Sequence, residues 1–587
     1  MYRSKFLWAM VAIGLALRVL YGLAQDPLAP YGTTGGDDPW YLANALALVT
    51  DAPPGTVIHG MPTDVANLNQ PPVFFLVAGI PQALLSPGPA VQVIRLLQAV
   101  LSSALIVFGY GLAVRLAGGI PGWGPTRARR AGQIAAAILA LSPALILESA
   151  HVKTETLFLF FVTGGVWAFV EAVVRTRAVV LQSNLTPRPP LQPDLTPRPP
   201  LQSGEGEQST TAAVGAQRAA PDGEPHPPTP SPLRSEGEET APEASDAELS
   251  PANAGSSYAL PLQTTGHAVR LEPVDEDDSG RAVARPYTPL PAARRHSGSG
   301  EGQGVRAGSE PGVMADAGTP LTRGKGEGFA WFALAGVLLG LATLTRAVFL
   351  LFPLALVVFA PIALGWRPGW KRGLLLLVVY SGVVLTWTAY NLARYDRFVL
   401  AGDGFASFLF IGAVGWNGPQ QSDQTMDQIL GPNDDGSRDQ AEFLDAAESS
   451  IGANLPGYLA RRIRELGGAI LQPHNVEVYA GDSLRSELAV WWADDRSPAG
   501  LLAITQGNSF WPKLLLYVVH YGGLVLGAAG ALLTWRNWRV GLPLLGYVAY
   551  VLLVHLFLFA LPRYLFPILP FLWVFAGVAM ARVLSKE

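Results

Sequence analysis

Long apolar runs, each close to the length of a bilayer crossing, alternate with short polar turns along most of the chain. A helix needs about 20 apolar residues to cross the roughly 30 Å hydrocarbon layer. Runs of this kind lie at 6–24, 91–114, 131–148, 156–174, 329–345, 347–364, 373–392, 513–534, 541–561 and 565–583. Each is expected to be helical, because hydrocarbon offers backbone N–H and C=O groups no partners. The pattern predicts an all-α polytopic membrane protein with about ten transmembrane helices. One more apolar stretch, 71–86, opens with Pro71-Pro72-Val73-Phe74-Phe75-Leu76 and is interrupted by Pro81. It is short for a crossing and reads as a juxtamembrane helix. The first run continues to about Ala24 with no small-x-small cleavage site, so it is expected to stay as a span rather than be removed as a signal peptide.

Charge orients these spans. With Arg3 and Lys5 inside, the inner ends collect Arg115, Arg127, Arg129, Arg130, Arg175, Arg177, Arg367, Lys371, Arg372, Arg536, Arg539, Arg582 and Lys586. The positive-inside rule expects this distribution when 71–86 does not cross. Both termini are then cytoplasmic, and the segments 25–90 and 393–512 are external. Segment 393–512 carries sixteen Asp or Glu against eight Arg, which fits an outer location. The chain has no cysteine, so single cysteines placed at Ser209 and Ser449 give a clean test. They should label from opposite sides with an impermeant thiol reagent. Labelling of both from outside would overturn this topology.

The apolar pattern stops between 183 and 328. That stretch has no Trp or Phe, two Tyr, and 22 of the chain's 49 prolines. Such a segment cannot bury enough apolar area to offset chain entropy. Leu-Thr-Pro-Arg-Pro-Pro-Leu-Gln occurs at 185–192 and again at 195–202. The stretch is expected to be a disordered cytoplasmic insert. The chain therefore divides into an N-terminal membrane part (1–182), the insert (183–328), central spans (329–392), an external segment (393–512) and C-terminal spans (513–587).

Composition narrows the chemistry. Mean hydropathy is +0.28 and net charge is −4; without a basic patch interleaved with aromatics, a nucleic-acid partner is not expected. No Gly-rich phosphate loop follows a strand, so neither a nucleotide nor a redox cofactor is expected. Candidate chemistry lies at the outer side. Gly35-Gly36-Asp37-Asp38-Pro39-Trp40-Tyr41 places two carboxylates after a flexible pair of glycines. They can act as a general base, bind a metal, or cap the helix that Pro39 starts. The short loop Glu148-Ser149-Ala150-His151-Val152-Lys153-Thr154-Glu155 brings four ionisable groups to a helix hairpin. Ionisable groups at membrane ends default to a functional reading; a solvated rim is the alternative. Arg18, Arg346 and Arg563 fall at the outer leaflet in this topology. They either snorkel to the interface or grip an anionic headgroup, since guanidinium binds phosphate oxygens in pairs.

These residues resemble the GT-C-fold glycosyltransferases that use polyprenyl-phosphate sugars. That group includes bacterial relatives of protein O-mannosyltransferases, lipid A aminoarabinose transferases and the RgtA/B/C/D-like enzymes. Asp37-Asp38-Pro39-Trp40-Tyr41 resembles the family's acidic pattern in the first external loop, with Asp38 where Glu is usual. Pro71-Pro72-Val73-Phe74-Phe75-Leu76 resembles its juxtamembrane helix, with Gln70 in place of a basic residue. Lys153-Thr154-Glu155, Gly340 through Thr345-Arg346, and Arg563-Tyr564-Leu565-Phe566-Pro567-Ile568-Leu569-Pro570 follow in the family's order. Gly402 through Gly404, Phe410-Ile411-Gly412 and Asn454 through Leu459 resemble landmarks of its second external segment. The resemblance spans nearly all of the chain except the insert.

The resemblance implies a GT-C-like bundle in a prokaryotic cell membrane, with its active site on the external face. It implies a polyprenyl-phosphate sugar donor and a protein, glycan or lipid acceptor among membrane lipid. Asp37 would be the general base. Asp38 or Glu155 would orient the acceptor, or share a divalent metal. Arg346, Arg563 and Arg18 would hold the donor phosphate, and Tyr41, His151, Lys153 and Tyr564 would position donor and acceptor. A transporter or lipid flippase without glycosyl transfer is the alternative from another class, and a scaffold docking partners on the insert is a third.

Overall fold

The computed structural model describes residues 4–31, 37–53, 56–59, 61–62, 71–185, 327–402, 404–415, 440–479 and 481–584. The chain divides into two units, Met1–Gln192 with Ala317–Glu587, and Pro193–Asp316. The second lies outside the described residues, as does nearly all of the expected insert. The insert's two ends are helical: one helix runs on to Leu185 and the next begins at Glu327.

The architecture is helical. In chain order the membrane part holds α1 (Lys5–Ala24), α2 (Asp38–Thr50), α3 (Pro72–Leu84), α4 (Pro87–Gly118), α5 (Pro125–Leu141), α6 (Pro143–Glu148) and α7 (Glu155–Leu185). After the insert come α8 (Glu327–Thr343), α9 (Phe352–Leu364) and α10 (Trp366–Tyr395). The second long connection forms α11 (Phe405–Val414), α12 (Gln440–Ala453), α13 (Leu455–Leu471), α14 (Leu484–Val490) and α15 (Pro498–Gln506). The chain ends in α16 (Phe510–Leu533), α17 (Trp538–Phe557), a single turn Pro562–Leu565, and α18 (Leu569–Leu584). A two-residue hairpin pairs Val57–Ile58 with Met61–Pro62.

Eight helical segments among the described residues are long and apolar enough to cross a membrane. They coincide with eight of the ten expected spans. The other two differ in form. The expected span 131–148 is two helices, α5 and α6, because Pro143 cannot continue the ladder and the Ser142 hydroxyl accepts from Leu145 N–H to start a new one. The expected span 329–345 is α8, which ends at Thr343 before an extended Arg346. α3 is 13 residues long, about 20 Å at 1.5 Å per residue, too short to cross.

Local chemistry explains the helix starts. Ser4, Ser483 and Ser497 cap their helices through side-chain oxygens, and Pro stands in the first turn of α2, α3, α4, α5 and α9. There its missing N–H costs nothing. α2 and α3 pack closely because Gly79 has no side chain: a Cβ there would collide with the Ala45 carbonyl oxygen. Gln82 Nε2 then donates to Leu42 O at 3.1 Å. The start of α3 is tied to the end of the α8 turn by Val73 N–H donating to Leu344 O at 3.0 Å. This tie sets the start of α3 beside the turn that carries Arg346.

Candidate active site

Four separate stretches of chain meet at one end of the bundle: the start of α2, the α6–α7 loop, the turn after α8, and the turn before α18. Arg563 Nη1 pairs with Asp37 Oδ2, across 526 residues of sequence. Arg346 Nη2 pairs with Glu155 Oε1. Arg346 Nε also donates to Thr154 Oγ1 at 3.0 Å, which donates in turn to Glu155 Oε2 at 3.3 Å. Tyr564 lies near both guanidiniums. Its hydroxyl accepts from Arg563 Nη2 at 3.0 Å, and its ring lies 5.8 Å from Arg346 and 4.9 Å from Arg563. His555 stacks on the same ring at 5.6 Å.

Neither aspartate caps α2. Asp37 occupies the N-cap position without a side-chain cap bond, since its carboxylate is taken by Arg563. Asp38 is 5% exposed and turns away from its own helix to accept from Val152 N–H at 3.3 Å. Lys153 Nζ lies 3.9 Å from Asp38 Oδ1, an oxygen with no hydrogen-bond partner. The capping alternative is thus set aside for both residues.

The two neighbours titrate in opposite directions. Burial pushes the Asp37 carboxyl up, but Arg563 beside it, with Lys153 and Arg346 behind, outweighs this and holds it below the usual range. Burial dominates at Asp38: Lys153, His151 and the Val152 N–H offset it only in part, Glu148 adds to it, and the carboxyl sits above its ordinary value. Burial also lowers the Lys153 ammonium, yet Asp38, Glu148, Glu155 and Asp37 together raise it overall. The Tyr41 phenol is pushed well up by burial and then by Glu155, so it remains a donor. It is held edge-on to Trp40 at 5.2 Å and to Phe74 at 5.4 Å.

The α6–α7 loop is fixed from below. Arg95 Nε donates to Ala150 O at 3.0 Å, and its other nitrogens reach Gln25 O and Asp26 O at 3.1 and 3.2 Å. Gln98 Nε2 donates to His151 O at 2.6 Å. Glu148, 2% exposed, is bound from the segment after α13: His474 Nε2 lies 2.7 Å and Asn475 Nδ2 3.1 Å from its Oε2. His151 remains half-buried, near enough to Asp38 and Glu148 to act on both electrostatically.

Nine of the ten candidate residues therefore collect around this cluster. Arg18 does not. It is 1% exposed and its guanidinium is spent on Ser102 Oγ at 2.8 Å, Gly14 O at 2.9 Å, Ala140 O at 3.1 Å and Leu139 O at 2.9 Å. Those bonds tie α1 to α4 and α5, and they leave no role for Arg18 in holding phosphate. Residues that the sequence patterns did not single out are Arg95, Gln98, His474, Asn475 and His555. Arg95 carries a visible signal, as an ionisable residue in an apolar run. His474 carries none.

The donor set does not suit a divalent metal. Among the described residues no three His, Asp or Glu side chains converge to hold one. Glu155 is engaged by Arg346, Asp37 by Arg563, and Asp38 by a backbone N–H and Lys153.

No protein-family model and no curated protein matches the chain. Among solved structures it is similar to the oligosaccharyltransferase of Archaeoglobus fulgidus in three forms. The apo form is 12% identical at a TM-score of 0.44, covering 100% of this chain and 51% of that one. The form tethered to an acceptor peptide is 14% identical at 0.44, covering 100% and 50%. The form with an inhibitory peptide and dolichol-phosphate is 14% identical at 0.43, covering 99% and 50%. The chain spans about half the length of these structures. Similarity at this level assigns no role to any residue here.

Proposed function

We propose that the protein is a membrane glycosyltransferase. It moves a sugar from a polyprenyl-phosphate donor to an acceptor hydroxyl at the outer membrane face, with inversion at the anomeric carbon. The observation that carries this reading is the pair of guanidiniums, Arg346 and Arg563, 5.8 and 4.9 Å from the Tyr564 ring and each balanced by a carboxylate. Arg563 Nε is buried without an acceptor, a donor still available to a phosphate oxygen. Two cations and a phenol suit a phosphate that gains charge as it leaves.

The reaction follows from the pairs. A donor phosphate competes with Asp37 for Arg563. As it takes the guanidinium, the Asp37 carboxylate loses the cation that holds its basicity down and becomes a better proton acceptor. The acceptor oxygen attacks the anomeric carbon from the face opposite the phosphate, and its proton passes to Asp37. The carbon–oxygen bond to phosphate breaks, and its electron pair leaves with the phosphate onto Arg346 and Arg563. Glu155 keeps Arg346 in place, and Asp38 with Lys153 holds the loop that borders the acceptor.

Purified protein supplied with a polyprenyl-phosphate sugar and an acceptor should release polyprenyl phosphate and a glycosylated product. A transporter, flippase or scaffold would release neither. The pH profile then separates the two aspartates. With Asp37 as base, activity is present above its depressed pKa and falls only as pH drops through it. The acid limb of kcat/KM should lie below the ordinary Asp value of about 3.9. A limb above that value would transfer the role to Asp38, whose carboxyl is raised.

A further inference from the structure

Between α13 and α16 the chain turns its apolar side chains outward. α14, the turn Trp491–Asp495 and α15 form a helical hairpin. Arg496 closes it in a left-handed conformation, and its N–H donates to Trp491 O at 2.8 Å. Trp491 Nε1 donates to Ser497 O at 2.8 Å. Within Leu484–Gln506, all of it described, only Leu484 is buried. Leu488, Val490, Trp492, Leu501 and Leu502 are exposed, Trp492 to 63% and Leu502 to 57%. A contiguous apolar surface outside a span marks an interaction site.

The height of the hairpin along α16 decides what covers it. The stretch that leads into the hairpin is bonded to one face of α16. Tyr521 Oη donates to Leu471 O at 2.8 Å, Tyr517 Oη to Gln472 Oε1 at 3.1 Å, and Lys513 Nζ to Asp482 O at 2.6 Å. Lys513 Nζ also lies 3.7 Å from Glu487 Oε1, inside α14. Leu484 belongs to the buried cluster that holds Leu516 and Tyr517. Another face of α16 carries an exposed apolar stripe, Trp511, Leu515, Val518, Val525 and Leu532, at helical spacing. On a helix of membrane length such a stripe faces lipid. Exposed Trp511 and Trp535 stand at its two ends. α16 is 24 residues long, about 36 Å at 1.5 Å per residue, which matches a crossing from one headgroup level to the other. Lys513 lies within one turn of Trp511, so α14 is held at the headgroup level.

We infer that the hairpin Leu484–Gln506 is a membrane anchor lying in one leaflet, with Leu488, Val490, Trp492, Leu501 and Leu502 set into lipid. The lipid that covers the α16 stripe continues onto it. His474 and Asn475, just before the hairpin, bind Glu148, which puts this leaflet on the side of the candidate active site. The hairpin carries Arg485 and Arg496 against Glu487, Asp494 and Asp495, so apolar contact rather than attraction to anionic headgroups holds it down. The charged turn Asp494-Asp495-Arg496 and the helix break before Pro498 are incompatible with a crossing, so the hairpin lies in the interface plane. This anchoring does not depend on glycosyl transfer.

The test uses spin labels, which the absence of cysteine makes site-specific. Full-length Trp492→Cys and Leu502→Cys are labelled and placed in phosphatidylcholine nanodiscs. Collisions of each label with oxygen, which concentrates in lipid, are compared with those of a water-soluble nickel chelate. Both labels should favour oxygen, as Val525→Cys on the lipid-facing stripe does. Ser449→Cys, exposed on α12, should show the reverse ratio. Both replaced side chains are exposed, and a wild-type melting temperature reports that each labelled protein is folded. Labels at 492 and 502 that behave like the one at 449 would place the hairpin in water and overturn the inference. Shielding of both labels from both reagents would show a second copy or another protein covering the surface, and would overturn it equally. An oxygen preference seen only in phosphatidylglycerol nanodiscs would make headgroup charge the driving force and overturn the apolar anchor.

Discussion

Asp37→Asn is expected to lower turnover by about 10²–10⁴-fold, the contribution of a positioned general base. The amide keeps the shape of the side chain and removes its proton affinity. Donor affinity should not fall with it. Asp37 pairs with Arg563, so removing its charge frees that guanidinium for the donor phosphate. The combination of low kcat with equal or tighter donor binding separates loss of a base from loss of structure. Single-turnover kinetics with a labelled polyprenyl-phosphate sugar would read both quantities. Near wild-type turnover in a folded Asp37→Asn protein would refute the assignment. Asp38→Asn should be milder, because an amide oxygen can still accept from Val152 N–H.

Arg346→Ala is expected to act on binding and on stability at once. It removes a phosphate contact, for a loss of about 10–100-fold in donor affinity. It also leaves Glu155, 2% exposed, as a buried carboxylate without its cation. Breaking a buried pair on one side costs about 3–5 kcal/mol. The double variant Arg346→Ala/Glu155→Gln separates the two effects. It should recover most of the stability, because the orphaned charge is gone, and none of the donor affinity, because the guanidinium is still missing. Recovery of affinity in the double variant would show that Arg346 acts only as a counter-ion to Glu155.

Charged residues at the ends of apolar runs brought Asp37, Glu155, Arg346 and Arg563 into view as candidates, and the family resemblance implied their roles. Their partners were not legible. Arg18 and Arg346 look alike in the sequence: each is an arginine at the end of an apolar run that the topology places at the outer leaflet. Tertiary structure separates them. Arg18 meets backbone carbonyls of α1 and α5, while Arg346 meets a carboxylate. Similarly, Asp38-Pro39 reads as an ordinary helix start, and only the position of the α6–α7 loop draws the Asp38 carboxylate off its own helix.

The sequence alone determined that this chain is a set of membrane-length helices, because apolar run length and the absence of backbone partners in hydrocarbon leave no other choice. It also marked the short helix after Pro71-Pro72 and the turn at Arg346, but not the break at Pro143, which divides the expected span 131–148. What tertiary structure decided is which ionisable groups meet. Helix ends that lie 526 residues apart along the chain come together through the packing and rotation of whole helices. That packing is set by close approaches such as Gly79 against Ala45 and by buried anchors such as Arg95. A charged residue looks the same in a sequence whether a carbonyl, a carboxylate or a substrate will satisfy it, because its partner comes from another element.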